Sequence, residues 1–156
     1  MRPLMTILSS LFIFCTASAQ NGNSDTIDIL AKIQTTPSSS DLCVWISDTN
    51  KLVQLGDSAV DTLISVLQSN SYGHIAKWSA ALALGEIGNS KAASVLTEVA
   101  ARNPADSQGF HLGDLSRNAA GKIQGTVKKE GKFRKITYAV QKTVTDCETG
   151  KIEVIQ

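Results

Sequence analysis

Residues 52–100 read LVQLGDSAVDTLISVLQSNSYGHIAKWSAALALGEIGNSKAASVLTEVA, and they contain the repeat that decides the fold. Apolar residues recur in this stretch at a spacing of three, which is typical of one face of a helix. Trp45 and Trp78 stand 33 residues apart, and apolar positions recur at the same offset across three copies: Ile27, Val60 and Ala93; Leu30, Leu63 and Leu96; Ile33, Val66 and Val99. The chain therefore contains an internal repeat of 33 residues.

Each copy of the repeat predicts two helices joined by a turn. The predicted helices cover residues 25–34, 42–55, 58–69, 74–87, 90–102 and 111–124. Gly56 and Gly88 are expected to end helices in the left-handed conformation that glycine adopts easily. Asp57 and Asn89 follow them and can cap the next helix. A single helix pair cannot bury its own apolar face, so we predict a stack of pairs that share one core.

The pattern resembles the HEAT-repeat superfamily, in particular its short bacterial HEAT-like variant. The residues that carry the resemblance are Leu55-Gly56, Ala59, Leu63, Leu67, Ala80-Ala81, Ala83-Leu84-Gly85, Ile87-Gly88, Ala92 and Leu96. It is strong over residues 50–102, extends more weakly over 25–124, and departs from the pattern at Trp78, where arginine is common. The resemblance implies an all-α fold, a short right-handed α-solenoid of about three helix pairs. It also implies binding to other proteins, without indicating a particular ligand.

Residues 1–19 have the composition of a secretory signal peptide. Arg2 precedes an apolar run over residues 4–15, and Ala17-Ser18-Ala19 fits the small-residue pattern of a cleavage site before Gln20. The apolar run is shorter than the roughly 20 residues that a transmembrane helix needs. We therefore expect a periplasmic or secreted protein that has no stable membrane insertion after cleavage.

The repeat domain is expected to cover residues 20–125, followed by a basic linker and a C-terminal hairpin or tail over 126–156. The segments ITYAVQKTV and KIEVI, joined by residues 145–150, are rich in β-branched residues and predict a small β-hairpin. An isolated hairpin is marginally stable, so we expect it to cap the last helix pair, with a mobile tail as the alternative. A solvated linker or a site for an anionic partner both fit the basic cluster of Lys128, Lys129, Lys132, Arg134 and Lys135.

The residues that could support catalysis are few. The chain has 15 basic and 14 acidic side chains, which argues against a nucleic-acid binder. His74 and His111 have no carboxylate or cysteine at ligand spacing, and neither a nucleophile-elbow nor a phosphate-binding glycine motif is present. We expect no catalytic residue, no metal and no cofactor. Cys43 and Cys147 could form a bridge within the chain or between chains, or remain two free thiols.

These observations favour an exported, non-enzymatic protein–protein interaction module, such as a scaffold or adaptor in the cell envelope. An immunity protein that neutralises a secreted toxin is the main alternative, and a HEAT-like lyase-type enzyme is a weaker one. The partner is expected to be another protein, bound mainly by the loops at 70–74 and 103–111. The candidate binding residues are Trp45, Tyr72, His74, Trp78, Phe110 and His111. For the two tryptophans, filling of the core is the alternative role.

Overall fold

The computed structural model describes residues 17–35, 42–102, 112–138 and 143–154. Six helices pack as three consecutive pairs, followed by a small antiparallel sheet. The helices are α1 (Ala17–Thr35), α2 (Leu42–Gln54), α3 (Val60–Gln68), α4 (His74–Ile87), α5 (Ala93–Arg102) and α6 (Leu112–Gln124). The all-α repeat fold predicted from the sequence is confirmed.

The bounds of α2 to α6 lie within three residues of the prediction, and α4 begins and ends where predicted. The first helix differs, because α1 begins at Ala17, eight residues before the predicted start at residue 25. Two predicted helices start instead with a 3-10 turn, at Gly56–Ala59 before α3 and at Ser90–Ala92 before α5. Gly88 ends α4 with a φ of 77°, in the left-handed region, as its position in the repeat indicated. The predicted cleavage position before Gln20 lies within α1, and the signal peptide itself stays a prediction.

The core follows the repeat. Leu30, Leu63 and Leu96 occupy equivalent positions in the first helix of each pair, and all three are fully buried. Each completely buried leucine side chain contributes about 2 kcal/mol through the apolar surface that it removes from water. Stacking therefore gives each pair a covered apolar face that it could not make alone.

Small residues let the second helices approach closely. A Cβ atom built on Gly85 of α4 would lie 2.8 Å from both the Cα and the Cβ of Ala119 in α6. Ala80, Ala81 and Ala83, also in α4, are fully buried. The run of alanines that the sequence shows in the second repeat thus serves backbone-to-backbone packing.

The C-terminal sheet has three strands, β1 (Lys135–Tyr138), β2 (Thr143–Asp146) and β3 (Ile152–Val154), in the order β1-β2-β3. The predicted hairpin is present as β2 and β3, which pair antiparallel with Val144 opposite Glu153. The segment ITYAVQKTV, predicted as one strand, contributes to two shorter strands. Its first residues lie in β1 and its last residues in β2, and these two strands pair antiparallel with each other. Gly150 adopts a φ of 69° in the β2–β3 turn.

None of the helices within the described ranges is both long enough and apolar enough to cross a membrane.

Candidate functional site

The second helices of the three pairs, α2, α4 and α6, lie side by side and form what we call the second-helix row. The described residues 126–138 and 143–154, which we call the tail, follow α6 and turn back along this row. The turn is closed by the carbonyl oxygen of Gly121, which accepts hydrogen bonds from the backbone N–H groups of Thr126 (2.9 Å) and Val127 (3.1 Å). Gly125 adopts a φ of 77° within it. A Cβ atom on Gly121 would lie 2.7 Å from the Val127 side chain, so the absence of a side chain there lets the tail lie close to α6.

The tail next crosses α4 at Glu86, whose side chain is completely buried. One carboxylate oxygen of Glu86 accepts hydrogen bonds from the backbone N–H groups of Glu130 (2.8 Å) and Gly131 (2.6 Å). The other oxygen pairs with the ammonium group of Lys122 in α6, whose side chain is only 5% exposed. The Lys122 nitrogen also lies 5.4 Å from the centre of the Phe133 ring, a cation–π contact. This buried ion pair therefore joins α4, α6 and the tail in one network.

The tail then reaches α2 at Asn50, which is 7% exposed. The Asn50 side-chain amide donates to the Phe133 carbonyl (2.9 Å), and its oxygen accepts from the Phe133 N–H (2.8 Å). The Asn50 side chain thus bonds to both the N–H and the C=O of Phe133, as a residue of a neighbouring strand would. It holds this segment of the tail against α2 in place of a strand partner. The Phe133 ring packs with Ile46 of α2 in a small second apolar cluster. The contact is specific because both polar groups of a buried peptide unit are satisfied.

A disulfide between Cys43 and Cys147 fastens the sheet to α2, with 5.2 Å between the two Cα atoms. Of the three alternatives left open by the sequence, the structure has the bridge within the chain. The expectation that the hairpin caps the last helix pair is wrong. The tail crosses all three second helices, and its sheet is attached to the first pair, because its anchors Glu86, Asn50 and Cys43 lie in α4 and α2.

Much of the basic cluster is neutralised inside the tail. The side chains of Lys132 and Arg134 both bond to the carboxylate of Glu148, at the β2–β3 turn. The hydrogen bonds from Lys132 and Arg134 lower the pKa of Glu148. Lys129 lies against the end of α4, where its nitrogen is 3.4 Å from the Ile87 carbonyl oxygen. Three of the five cations therefore have a partner in the chain, and the segment is packed on α4 and α2 rather than solvated as a linker.

A second buried carboxylate, Asp48 in α2, ties the first pair together. Its oxygens lie 2.9 Å from the Lys32 nitrogen of α1 and 2.7 Å from the Lys51 nitrogen of α2. Burial alone would raise the pKa of Asp48, but the hydrogen bonds and charges of the two lysines outweigh it and leave the pKa below its usual value. Asp48 is thus a structural charge at the α1–α2 contact.

The hydrogen bonds between the tail and α4 lie toward the end of the helix, at Glu86 and Ile87. His74, Trp78, Leu82 and Glu86 follow one another at a spacing of four and share a helix face. The tail contacts this face at Glu86, and Leu82 packs against the cluster around Phe133. His74 is exposed and Trp78 half-buried, with 6.4 Å between their ring centres. This aromatic pair is the candidate binding surface.

The other predicted binding residues fall in different places. Trp45 is half-buried between the two apolar clusters, and its indole N–H donates to the Ser79 hydroxyl at 2.6 Å. Tyr72 is half-buried against the main core, in the turn before α4. Phe110 and His111 lie outside the described residues. The structure therefore brings together two of the six candidates, both in α4, while Trp45 serves the core.

Sequence reasoning missed the three polar residues that position the tail. Asn50, Glu86 and Lys122 were given no role, because single polar residues in amphipathic helices are ordinarily solvent-exposed. One signal was available. Glu86 stands between Gly85 and Ile87 in the alanine-rich second helix of the second repeat, and a carboxylate requires a partner once it is buried.

With this geometry, the comparison with known families is informative. The model of the PBS lyase HEAT-like repeat matches residues 76–102. These residues form a HEAT-like repeat. The HEAT-like repeat spans most of α4, the Gly88 turn and all of α5, and it includes Trp78 and Glu86. No curated protein and no solved structure matches the chain. Among the described residues, no cluster of three histidine, cysteine or acidic side chains is placed to hold a metal ion.

Proposed function

We propose that this protein is an exported protein-binding module, without catalytic activity, that acts as a scaffold or adaptor in the cell envelope. The HEAT-like repeat at residues 76–102 is the observation that carries the proposal, because stacked helical repeats present extended surfaces to other proteins. The partner in this proposal is a protein, with no role for nucleic acid or a cofactor.

The surface that we assign to the partner is the start of α4, with His74 and Trp78 at its centre. His74 is exposed at the start of this helix, whereas the tail contacts the same helix at Glu86, near its end. Tryptophan is enriched among the residues that dominate binding energy, because a large flat ring loses much hydration and little conformational freedom on contact. Trp78 is half-buried, with its ring packed partly against the core.

Export is supported by the composition of residues 1–19 and by the disulfide, since such bridges persist mainly in oxidising compartments. Cell fractionation with N-terminal sequencing tests this part. A mature protein beginning at Gln20 in the periplasm or the medium is the expected result. A protein that keeps its first residues and stays in the cytoplasm would contradict it.

Affinity capture from an envelope extract tests the binding surface. We expect the wild-type chain to retain one stoichiometric protein partner, and the variants H74E and W78A to lose at least nine-tenths of it. I27S is the matched control, because Ile27 is an apolar side chain of α1, 45% exposed, outside the second-helix row. Far-UV circular dichroism confirms that each variant folds, and H74E keeps the test valid if W78A does not. A partner bound equally by wild type and H74E would refute the assigned surface.

The identity of the captured protein separates the proposed role from the immunity alternative. If the captured partner is a resident envelope protein, the scaffold role is supported. If it is a secreted toxin, the scaffold role is wrong and the chain is an immunity protein that neutralises this toxin. A chromophore or metal carried through purification would contradict the proposed lack of catalytic activity.

A further inference from the structure

Strand β3 is one outer edge of the sheet. The turn that precedes it determines which of its residues direct their backbone groups toward β2 and which direct them outward. The Asp146 N–H donates to the Lys151 carbonyl at 2.9 Å, so this pair faces inward across the hairpin. Hydrogen-bonded pairs alternate along an antiparallel ladder, so Glu153 also directs its backbone groups to β2. The N–H and C=O of Ile152 and the N–H of Val154 therefore point away from β2. Among the described residues, no strand pairs with β3 on that side.

The side chains of the same strand are also exposed. Ile152 is 65% exposed and Val154 76%, the highest values among the large apolar residues that the structure describes. An open strand edge that carries exposed β-branched residues is a template for pairing with another strand. The charges beside Ile152 differ in sign, with Lys151 before it and Glu153 after it.

We propose that two copies of this chain pair through β3 in an antiparallel, two-fold symmetric arrangement centred on Ile152. In this register Ile152 of one copy lies opposite Ile152 of the other, and the two residues exchange two backbone hydrogen bonds. Lys151 of each copy then lies opposite Glu153 of the other. The dimer joins two three-stranded sheets into one of six strands.

The opposite charges of Lys151 and Glu153 favour this register, and they favour a second copy of the same strand as the partner of β3. The pairs of Lys151 with Glu153 are non-hydrogen-bonded pairs, in which opposite side chains lie closest together. Each copy already holds its own Lys151 and Glu153 at 3.0 Å, so the dimer would collect four alternating charges on one sheet face. The neighbouring register, centred on Glu153, also satisfies the backbone but places two carboxylates directly opposite each other. A strand that is complementary to itself fits a second copy of this chain.

Sedimentation velocity of the full chain, between about 10 µM and 1 mM, measures this association. We expect a concentration-dependent dimer, because a pairing of three residues buries far less than a stable interface does. K151E replaces both attractive pairs with repulsive ones and should weaken the dimer at least tenfold. In the double variant K151E/E153K, the glutamate at position 151 of one copy lies opposite the lysine at position 153 of the other, so the charges are again opposite. This variant should recover the wild-type dissociation constant within about twofold.

The double variant is also the control for folding, because it keeps the composition and the exchanged residues are exposed. A wild-type chain that remains monomeric at 1 mM would overturn the proposal. So would a dimer that K151E leaves unchanged, a K151E/E153K variant that stays as weak as K151E, or a dimer that persists as a covalent species in denaturing, non-reducing electrophoresis. The proposal does not depend on the partner-binding role of α4, and H74E should dimerise as the wild type does.

Discussion

Replacing both cysteines of the bridge, C43S/C147S, perturbs the attachment of the tail without changing the size of any side chain greatly. The bridge joins residues separated by 104 positions, so it closes almost the whole repeat domain into a loop. In the chain-entropy treatment, a loop of about 100 residues stabilises the folded state by about 4–5 kcal/mol, because it restricts the unfolded chain. That is a large part of the 5–15 kcal/mol typical of a domain.

The assay is urea unfolding followed by far-UV circular dichroism, with the oxidised wild type and C43S/C147S measured side by side. With a denaturant slope of about 2 kcal/mol per M, the expected loss lowers the midpoint by about 2 M. Dithiothreitol should lower the wild-type midpoint to that of the variant and leave the variant unchanged. A difference below about 1 kcal/mol, or a reductant effect on C43S/C147S, would refute the reasoning.

Three further substitutions test individual contacts by the same urea titration. D48N should cost about 1–2 kcal/mol at pH 7, since the two lysines that bond to Asp48 are half-exposed. Because the folded-state pKa of Asp48 is lowered, its contribution is complete above the unfolded value and is lost as the pH falls through the folded value. The gap between wild type and D48N should therefore narrow below about pH 4, and a constant gap would contradict the ion pairs. G85A should destabilise by about 1–2 kcal/mol despite alanine's higher helix propensity, because its Cβ would meet the Ala119 backbone. Helix propensity alone would make G85A more stable than the wild type, so a gain in stability would remove the packing argument. E86Q should cost about 3 kcal/mol, because the buried ammonium group of Lys122 then keeps only the exposed carboxylate of Glu130, at 3.6 Å, as a described anionic partner; a neutral result would mean that the pair of Lys122 with Glu86 adds no net stability.

The repeat domain could be predicted from the sequence because apolar spacing and chain turns are local signals. The spacing of Leu30, Leu63 and Leu96 predicts three equivalent buried positions. Gly88 ends its helix through its own backbone conformation, which does not depend on distant residues. Such features depend on residues within one or two turns of each other.

The path of the tail could not be predicted in the same way, because it depends on contacts between residues far apart in the chain. Phe133 meets Asn50 across 83 positions, and Gly131 meets Glu86 across 45. No periodicity in the sequence relates these residues. The possible bridge between Cys43 and Cys147 is the one long-range clue in the sequence, and the sequence leaves it open beside an intermolecular bridge and two free thiols.

The candidate binding surface was predicted in part. His74 and Trp78 were selected as a histidine at a helix start and a tryptophan at a repeat position, and α4 places them four residues apart on one face. Trp45 occupies the equivalent repeat position, but its indole N–H is satisfied by Ser79, and it packs into both clusters. The 33-residue repeat makes the two tryptophans look equivalent, and both are half-buried against the main core. They differ because Trp45 also packs into the second cluster.

Amide hydrogen exchange of the oxidised wild-type chain, measured by NMR at Glu130, Gly131 and Phe133, tests most directly whether the tail lies along the second-helix row. The account predicts protection well above that of an unstructured peptide at all three amides, because each donates to a side chain of α4 or α2. E86Q should weaken protection at Glu130 and Gly131 more than at Phe133. Exchange of these three amides at the rates of an unstructured chain would contradict the account.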